Sequence, residues 1–375
     1  MRKKNIKIVQ VFEKYPLFYQ LYIPLVIQSL QKKNELEVKI VAFKGNANKE
    51  SSISILPHHY VRTLKEKLDY LLYPKLPKLN YLELLCIQNS IDIIHIQHSF
   101  LFSKVFGLLK MPKNKRSKIV ITLRGGDTYI KPWLGKRWID FYKNEGQKID
   151  AFITVSNHQK EYLQKWGVSE DKIYVIPVSF GNKTNAQPKY PSIDRIKIIS
   201  AHRMCWEKNI EGNLRVIKLL KEKGYSVQYD IFGDGPDKGQ VFYLIDKYNL
   251  EEEVTYYGKI ENELFKSKLI DYDFFLQLSH SEAFGASVIE AQSKGVPCIV
   301  SNSGGLPEAI NINKSGFCVK PYNIDEAVNY IVDLYLNPDK YFSFSKEAIR
   351  NSNENFTVEI EVKKLMNLYN SLISN

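Results

Sequence analysis

Along almost the whole chain, short runs of β-branched and aromatic residues alternate with longer segments whose apolar positions recur at a helical period. Ile6 to Val11 reads as a first strand, Tyr19 to Lys32 as a helix and Glu37 to Phe43 as a second strand. Further strands are predicted at Asp92 to His98, Ile119 to Leu123, Ile149 to Val155 and Ile173 to Pro177. Residues 182–194, NKTNAQPKYPSID, are polar, proline-bearing and without period, and read as a linker. The rhythm restarts at Ile196 to Ser200 and continues through Tyr229 to Phe232, Val254 to Ile260, Asp273 to Leu278 and Pro297 to Val300. This predicts an α/β protein of two domains, residues 1–181 and 195–355, followed by a last amphipathic helix within 356–375.

Length supports that division, because 375 residues exceed one ordinary core. A composition of 44% hydrophobic and 25% charged residues is that of a globular protein. No apolar run reaches the roughly eighteen residues a membrane helix needs. The chain passes from Met1-Arg2-Lys3-Lys4 straight into a strand, without the apolar core of a signal peptide. Cys86, Cys205, Cys298 and Cys318 form no C-x-x-C pair, so neither a metal site nor a disulfide framework is indicated; a reducing cytoplasm is expected.

Charge changes the picture. Residues 1–190 hold 32 Lys and Arg against 15 Asp and Glu, a net of +17, whereas residues 191–375 hold 21 against 26, a net of −5. The first half is therefore expected to meet something anionic: nucleic acid, a bilayer or a phosphorylated acceptor. Val61 to Leu72 (VRTLKEKLDYLL) and Lys110 to Lys118 (KMPKNKRSK) mix basic with apolar residues, which favours an anionic membrane surface. A plain solvated basic face is the alternative. No RNP-type aromatic motif or helix-turn-helix signal supports nucleic acid.

The chemistry concentrates in Ser279 to Ile310, SHSEAFGASVIEAQSKGVPCIVSNSGGLPEAI, read as strand end, glycine loop, helix, strand and second glycine loop. Phe284-Gly285-Ala286-Ser287 offers backbone N–H groups at a helix start, a cradle for an anion such as phosphate. Glu282 and Glu290 flank it, and carboxylates accept hydrogen bonds from vicinal diols. Together they describe a nucleotide-sugar site. The competing reading of Ser287-x-x-Glu290 is a capping box, in which Glu290 only satisfies the helix start. No G-x-G-x-x-G follows the first strand, which argues against an NAD-dependent dehydrogenase. His95 and His98 leave one predicted strand and Arg124 and Asp127 another, at the edge where open α/β sheets bind ligands; strand-end packing and an Arg124–Asp127 ion pair within the turn are the alternatives.

Glu282, seven residues, Glu290, with Phe284-Gly285 between, then Gly295-Val296-Pro297 and Gly304-Gly305, resembles the E-x7-E signature of family 4 glycosyltransferases. The resemblance implies the GT-B fold: two Rossmann-like domains facing a central cleft, with the C-terminal helix crossing back onto the first. It assigns Glu282 to the transferred sugar, Glu290 to the donor ribose, and Phe284, Gly285, Ala286 and Ser287 to sugar and diphosphate. The segment His202 to Asn209 is similar to the family loop whose Arg and Lys clamp the diphosphate, here Arg203 and Lys208. Gly233, in the turn Gly233-Asp234-Gly235-Pro236, and Lys259 with Ile260 take donor and base positions by the same likeness, plain turn chemistry being the alternative for Gly233. His95, His98, Arg124 and Asp127 fall on the acceptor side. Arg124 departs from the pattern, standing where many members have His.

The resemblance implies retaining transfer of a hexosyl group from a nucleoside-diphosphate sugar to a glycan or glycolipid hydroxyl, in surface polysaccharide or lipopolysaccharide assembly. It implies no metal or other cofactor, and a cytoplasmic protein at the inner face of the membrane. A sugar-nucleotide epimerase, a phosphorylase and a non-catalytic nucleic-acid-binding protein are the rival readings.

Overall fold

In the computed structural model, which describes residues 5–16, 22–46, 52–72 and 77–374, every strand pairing is parallel. The chain divides into two units, residues 1–177 with 361–375, and residues 178–360. Each has its own sheet and its own buried cluster.

The first unit carries β1 (Ile6–Tyr15), β2 (Leu36–Gly45), β3 (Ile53–Ile55), β4 (Ile93–Ile96), β5 (Lys118–Thr122), β6 (Ala151–Thr154) and β7 (Ile173–Val175). Their order is β3-β2-β1-β4-β5-β6-β7. The central strands β4, β5 and β6 read IIHI, KIVIT and AFIT, the nearly continuous apolar runs that a sheet covered on both faces requires. The last turns of the C-terminal helix, Val358–Ser374, belong to this unit, where Tyr369 is fully buried.

The second unit carries β8 (Ile196–Ala201), β9 (Val227–Phe232), β10 (Val254–Gly258), β11 (Phe274–Gln277), β12 (Cys298–Ser301) and β13 (Gly316–Val319) in the order β10-β9-β8-β11-β12-β13. Chain order runs outward from β8 to β10 and then returns to β11 on the other side of β8. The loops after β8 and β11 thus diverge from neighbouring strands, the switch point at which doubly wound sheets form a crevice. This topology positions the candidate site.

The predicted strands all form, with ends shifted by a few residues. Two short strands escaped the pattern, β3 and β13, of three and four residues, each at an edge of its sheet. Of the helix predicted over Tyr19 to Lys32, residues 22–31 are helical, and 19–21 lie outside the described residues, as do Met1 to Lys4. Residues 182–194 form neither helix nor strand. They are stitched to the second unit, Thr184 N donating to Asn353 Oδ1 at 2.9 Å, Lys189 N to Ser345 Oγ at 3.1 Å and Ser192 N to Asp273 Oδ1 at 2.8 Å.

Candidate functional site

The loops at the switch point are joined through their backbones: His280 N and Ser281 N donate to the Glu207 carbonyl at 2.7 and 3.3 Å. That alignment brings the Lys208 ammonium onto Glu282 Oε2 in an ion pair only about one-sixth exposed. Gln277, the single amide at the end of the buried strand FFLQ, donates to the same carboxylate at 2.8 Å, and Ala283 N donates to its other oxygen at 3.0 Å. Burial pushes the Glu282 pKa up, but Lys208 and these donors outweigh it, so the net shift is downward and the carboxylate stays ionised. The second glycine loop sets the backbone: Gly305 N donates to the Glu282 carbonyl at 2.9 Å. Gly304, at φ +59°, lies so close that a Cβ would stand 1.9 Å from that carbonyl oxygen.

The next helix, Ala286–Gln292, starts behind Gly285, which at φ +103° is its N-cap. Ser287 is therefore the second residue inside the helix, and the capping box does not form. Its hydroxyl donates to Gln277 Oε1 at 3.4 Å, tying the helix start to the amide that holds Glu282. Glu290 instead accepts from Asn262 Nδ2 at 2.9 Å, and burial raises its pKa despite Lys266 nearby. The two signature acids thus sit in opposite electrostatic surroundings, one paired with a cation and one held by an amide. Phe284 is buried against Phe356, ring centres 5.3 Å apart, so only its backbone is available to a ligand.

The remaining candidates of this unit lie around that centre. Arg203 is exposed, its Nη2 3.7 Å from Glu207 Oε1. Lys259 is half exposed, 3.7 Å from Asp234 Oδ2, and Ile260 follows it at the end of β10. Gly233 has a packing role: at φ +123° its Cβ would stand 1.9 Å from the His202 carbonyl oxygen, so the bare backbone lets this turn close on the loop after β8.

In the first unit the structure gives its four candidates mainly architectural partners. His95 is 1% exposed, with Nδ1 2.7 Å from the Tyr369 hydroxyl and Nε2 2.7 Å from Thr122 Oγ1. Burial, with Arg124 adding to it, lowers its pKa to about 3. The ring is a neutral strut between strand and C-terminal helix, and no ring nitrogen is open to an acceptor. His98 packs on Phe100, centroids 5.4 Å apart, and burial lowers its pKa to about 4. Asp127 accepts from the backbone N–H of Gly125 at 3.0 Å and of Arg124, and from Ser99 Oγ at 2.7 Å, closing the turn. The Arg124 guanidinium turns elsewhere, to the Tyr22 hydroxyl at 3.0 Å and to Gln97, so the alternative reading of an ion pair between them does not hold.

With this geometry in place, two family matches decide the assignment. Residues 182–351 match glycosyl transferases group 1, and residues 25–178 match Glycosyltransferase Family 4. The chain is a group 1, family 4 glycosyltransferase. It is 26% identical over 266 residues to Escherichia coli WcaL, named for colanic acid biosynthesis, covering 68% of this chain and 65% of WcaL. It is 25% identical over 293 residues to the poly(ribitol-phosphate) alpha-N-acetylglucosaminyltransferase of Staphylococcus aureus, covering 78% of this chain and 58% of that protein. The glycosyltransferase thus spans about three-fifths of these relatives. Its fold is that of GT-B structures such as Anabaena HepE, solved in complex with UDP, with a TM-score of 0.76 at 14% identity over 98% of this chain and 100% of that one.

Two residues that hold the candidate acids of the glycosyltransferase went unnoticed in the sequence, Gln277 and Asn262. Gln277 was detectable as a lone amide closing an apolar strand, a position where burial demands a partner. Asn262 carried no such signal, since it opens the helix Asn262–Lys268, where an amide is ordinary. Among the described residues no group of three or more His, Cys, Asp or Glu is placed to hold a metal, and no helix is long and apolar enough to cross a membrane.

Proposed function

We propose that the enzyme transfers a hexosyl group from a nucleoside-diphosphate sugar to a hydroxyl of a glycan or glycolipid, with retention, in surface polysaccharide or lipopolysaccharide assembly. The observation that carries this reading is the Lys208–Glu282 pair, wired through Gln277 to the start of the helix that bears Glu290. An ionised Glu282 is a hydrogen-bond acceptor for sugar hydroxyls and a poor proton donor. Glu290, held by an amide, is left to accept from the ribose diol. Lys208 and the exposed Arg203 supply positive charge for the departing diphosphate, the work a metal does elsewhere.

In this scheme the bond from the anomeric carbon to the diphosphate oxygen breaks as the acceptor oxygen bonds that carbon on the same face. The acceptor proton passes to the departing phosphate oxygen. The names of the relatives, which concern colanic acid and poly(ribitol-phosphate), support a polyhydroxylated acceptor. An anionic membrane surface at the inner face of the cytoplasmic membrane is the proposed setting. Its support is the helix His59–Leu72, which exposes Tyr60, Leu64, Leu68 and Leu71 along one stripe beside basic residues.

The test is sugar transfer from UDP-, GDP- and ADP-sugars with EDTA present. Wild type is expected to turn over, and Glu282→Ala and Lys208→Ala each to lose about 10²- to 10³-fold, the range for removing one charged stabiliser of a transition state. Loss of wild-type activity in EDTA, or two variants within a few-fold of wild type, overturns the scheme.

A further inference from the structure

Beside the loop that carries Lys208, the second unit contains an open groove of about 550 Å³. Trp206 and His280 stand on its two switch-point loops, Pro236 and Asp237 on the turn after β9, and Glu211 and Gln240 on the helices Ile210–Glu222 and Lys238–Lys247. None of Arg203, Lys208, Glu282 or Glu290 lines it.

The chemistry of the lining selects among ligands. It includes two carboxylates and no lysine or arginine among the described residues, so a phosphate or nucleotide is disfavoured. It is not an apolar slot either. Trp206 is 61% exposed, and the His280 ring centre lies 5.1 Å from that of Tyr322, a residue 75% exposed. Glu211 spends one carboxylate oxygen on the Tyr248 hydroxyl at 2.6 Å. Aromatic faces beside carboxylate and amide acceptors match a neutral sugar, whose C–H face stacks on a ring while its hydroxyls donate. The volume lies within the range of small-molecule sites.

Position gives the groove a purpose. Trp206 is two residues from Lys208 and His280 two from Glu282, so on each loop the Cα atoms of groove and pair residue are at most about 8 Å apart. We propose that this groove is a secondary glycan subsite that holds a neutral oligosaccharide segment next to the reaction centre. The proposal rests on the glycosyltransfer reading above, and gives it a device for preferring a longer glycan over a single sugar.

The test is titration of the full chain with maltotetraose, cellotetraose and chitotetraose, followed by saturation-transfer NMR and by intrinsic fluorescence, with the melting response to sugar nucleotides as a parallel measurement. At least one tetrasaccharide is expected to bind saturably. Trp206→Ala and Gln240→Ala are each expected to weaken it at least 10-fold, while their melting temperatures and their response to sugar nucleotides stay close to wild type. Lys208→Ala is expected to lose the sugar-nucleotide response and keep the tetrasaccharide. No saturable binding of any of the three, or equal binding by wild type and both groove variants, overturns the subsite. A missing sugar-nucleotide response in wild type overturns the donor reading instead. Because Gln240 is exposed on a helix, its variant separates loss of contact from loss of fold.

Discussion

Two acids eight positions apart in the chain have become different chemical groups through their neighbours. Glu282 has its pKa held down by Lys208, so its contribution to stability is present at neutral pH and is lost as pH falls through its folded value. Glu290, raised by burial, has the opposite sign and opposes folding as pH rises through its titration. His95 gives the cleanest measurement. Its folded pKa of about 3 lies below the ordinary 6.5, so from pH 6.5 downward the unfolded chain takes a proton that the native ring refuses. Stability should fall by up to about 1.4 kcal/mol per pH unit from this one group. In urea titrations, wild type is expected to exceed His95→Gln most at pH 7.5, the gap narrowing toward pH 5; a gap independent of pH would show that the ring titrates normally.

At the scale of elements, the glycine loops act as spacers for the site. Gly304→Ala forces a side chain into the Glu282 carbonyl and into left-handed backbone, the latter alone costing about 1–2 kcal/mol. The expected outcome is a lowered melting temperature and a larger fall in turnover, because the displaced backbone belongs to the residue that pairs with Lys208. Unchanged turnover would mean that Glu282 needs no such support. The helix His59–Leu72 makes the other element-scale prediction. Leu64 is 62% and Leu68 52% exposed on the stripe proposed to meet lipid. The double change Leu64→Glu, Leu68→Glu should reduce sedimentation with anionic phosphatidylglycerol vesicles at least 10-fold and leave melting nearly unchanged, since neither side chain is buried. Equal sedimentation would leave the stripe as ordinary surface.

For the molecule as a whole, two separate cores and a strongly divided charge set the expectations. The +17 half is the one proposed to meet an anionic surface, and the −5 half the one proposed to bind sugars. A sugar nucleotide that binds as proposed stabilises only the folded chain, by about 2.7 kcal/mol at one hundred times its Kd. A melting screen of UDP-, GDP- and ADP-sugars should therefore show a rise for one base and much less for the others. The absence of any rise would exclude a preformed donor site.

Much of this was legible without coordinates. Strand after strand is written in runs such as IKIVQ and CIVS, because a parallel sheet covered on both faces admits few polar residues. Glu282, Glu290 and the glycines beside them stood out as candidates because bare backbone beside fixed charge is what a ligand cradle would need. The tertiary structure alone decided partners. It replaced the capping box at Ser287 and Glu290 with contacts to Gln277 and Asn262, and it turned His95 into a strut on Tyr369, 274 residues away. Local periodicity records which face of a segment is buried, whereas a hydrogen-bond partner across the fold leaves no trace in spacing. Only the assembled fold brings such residues within hydrogen-bond reach.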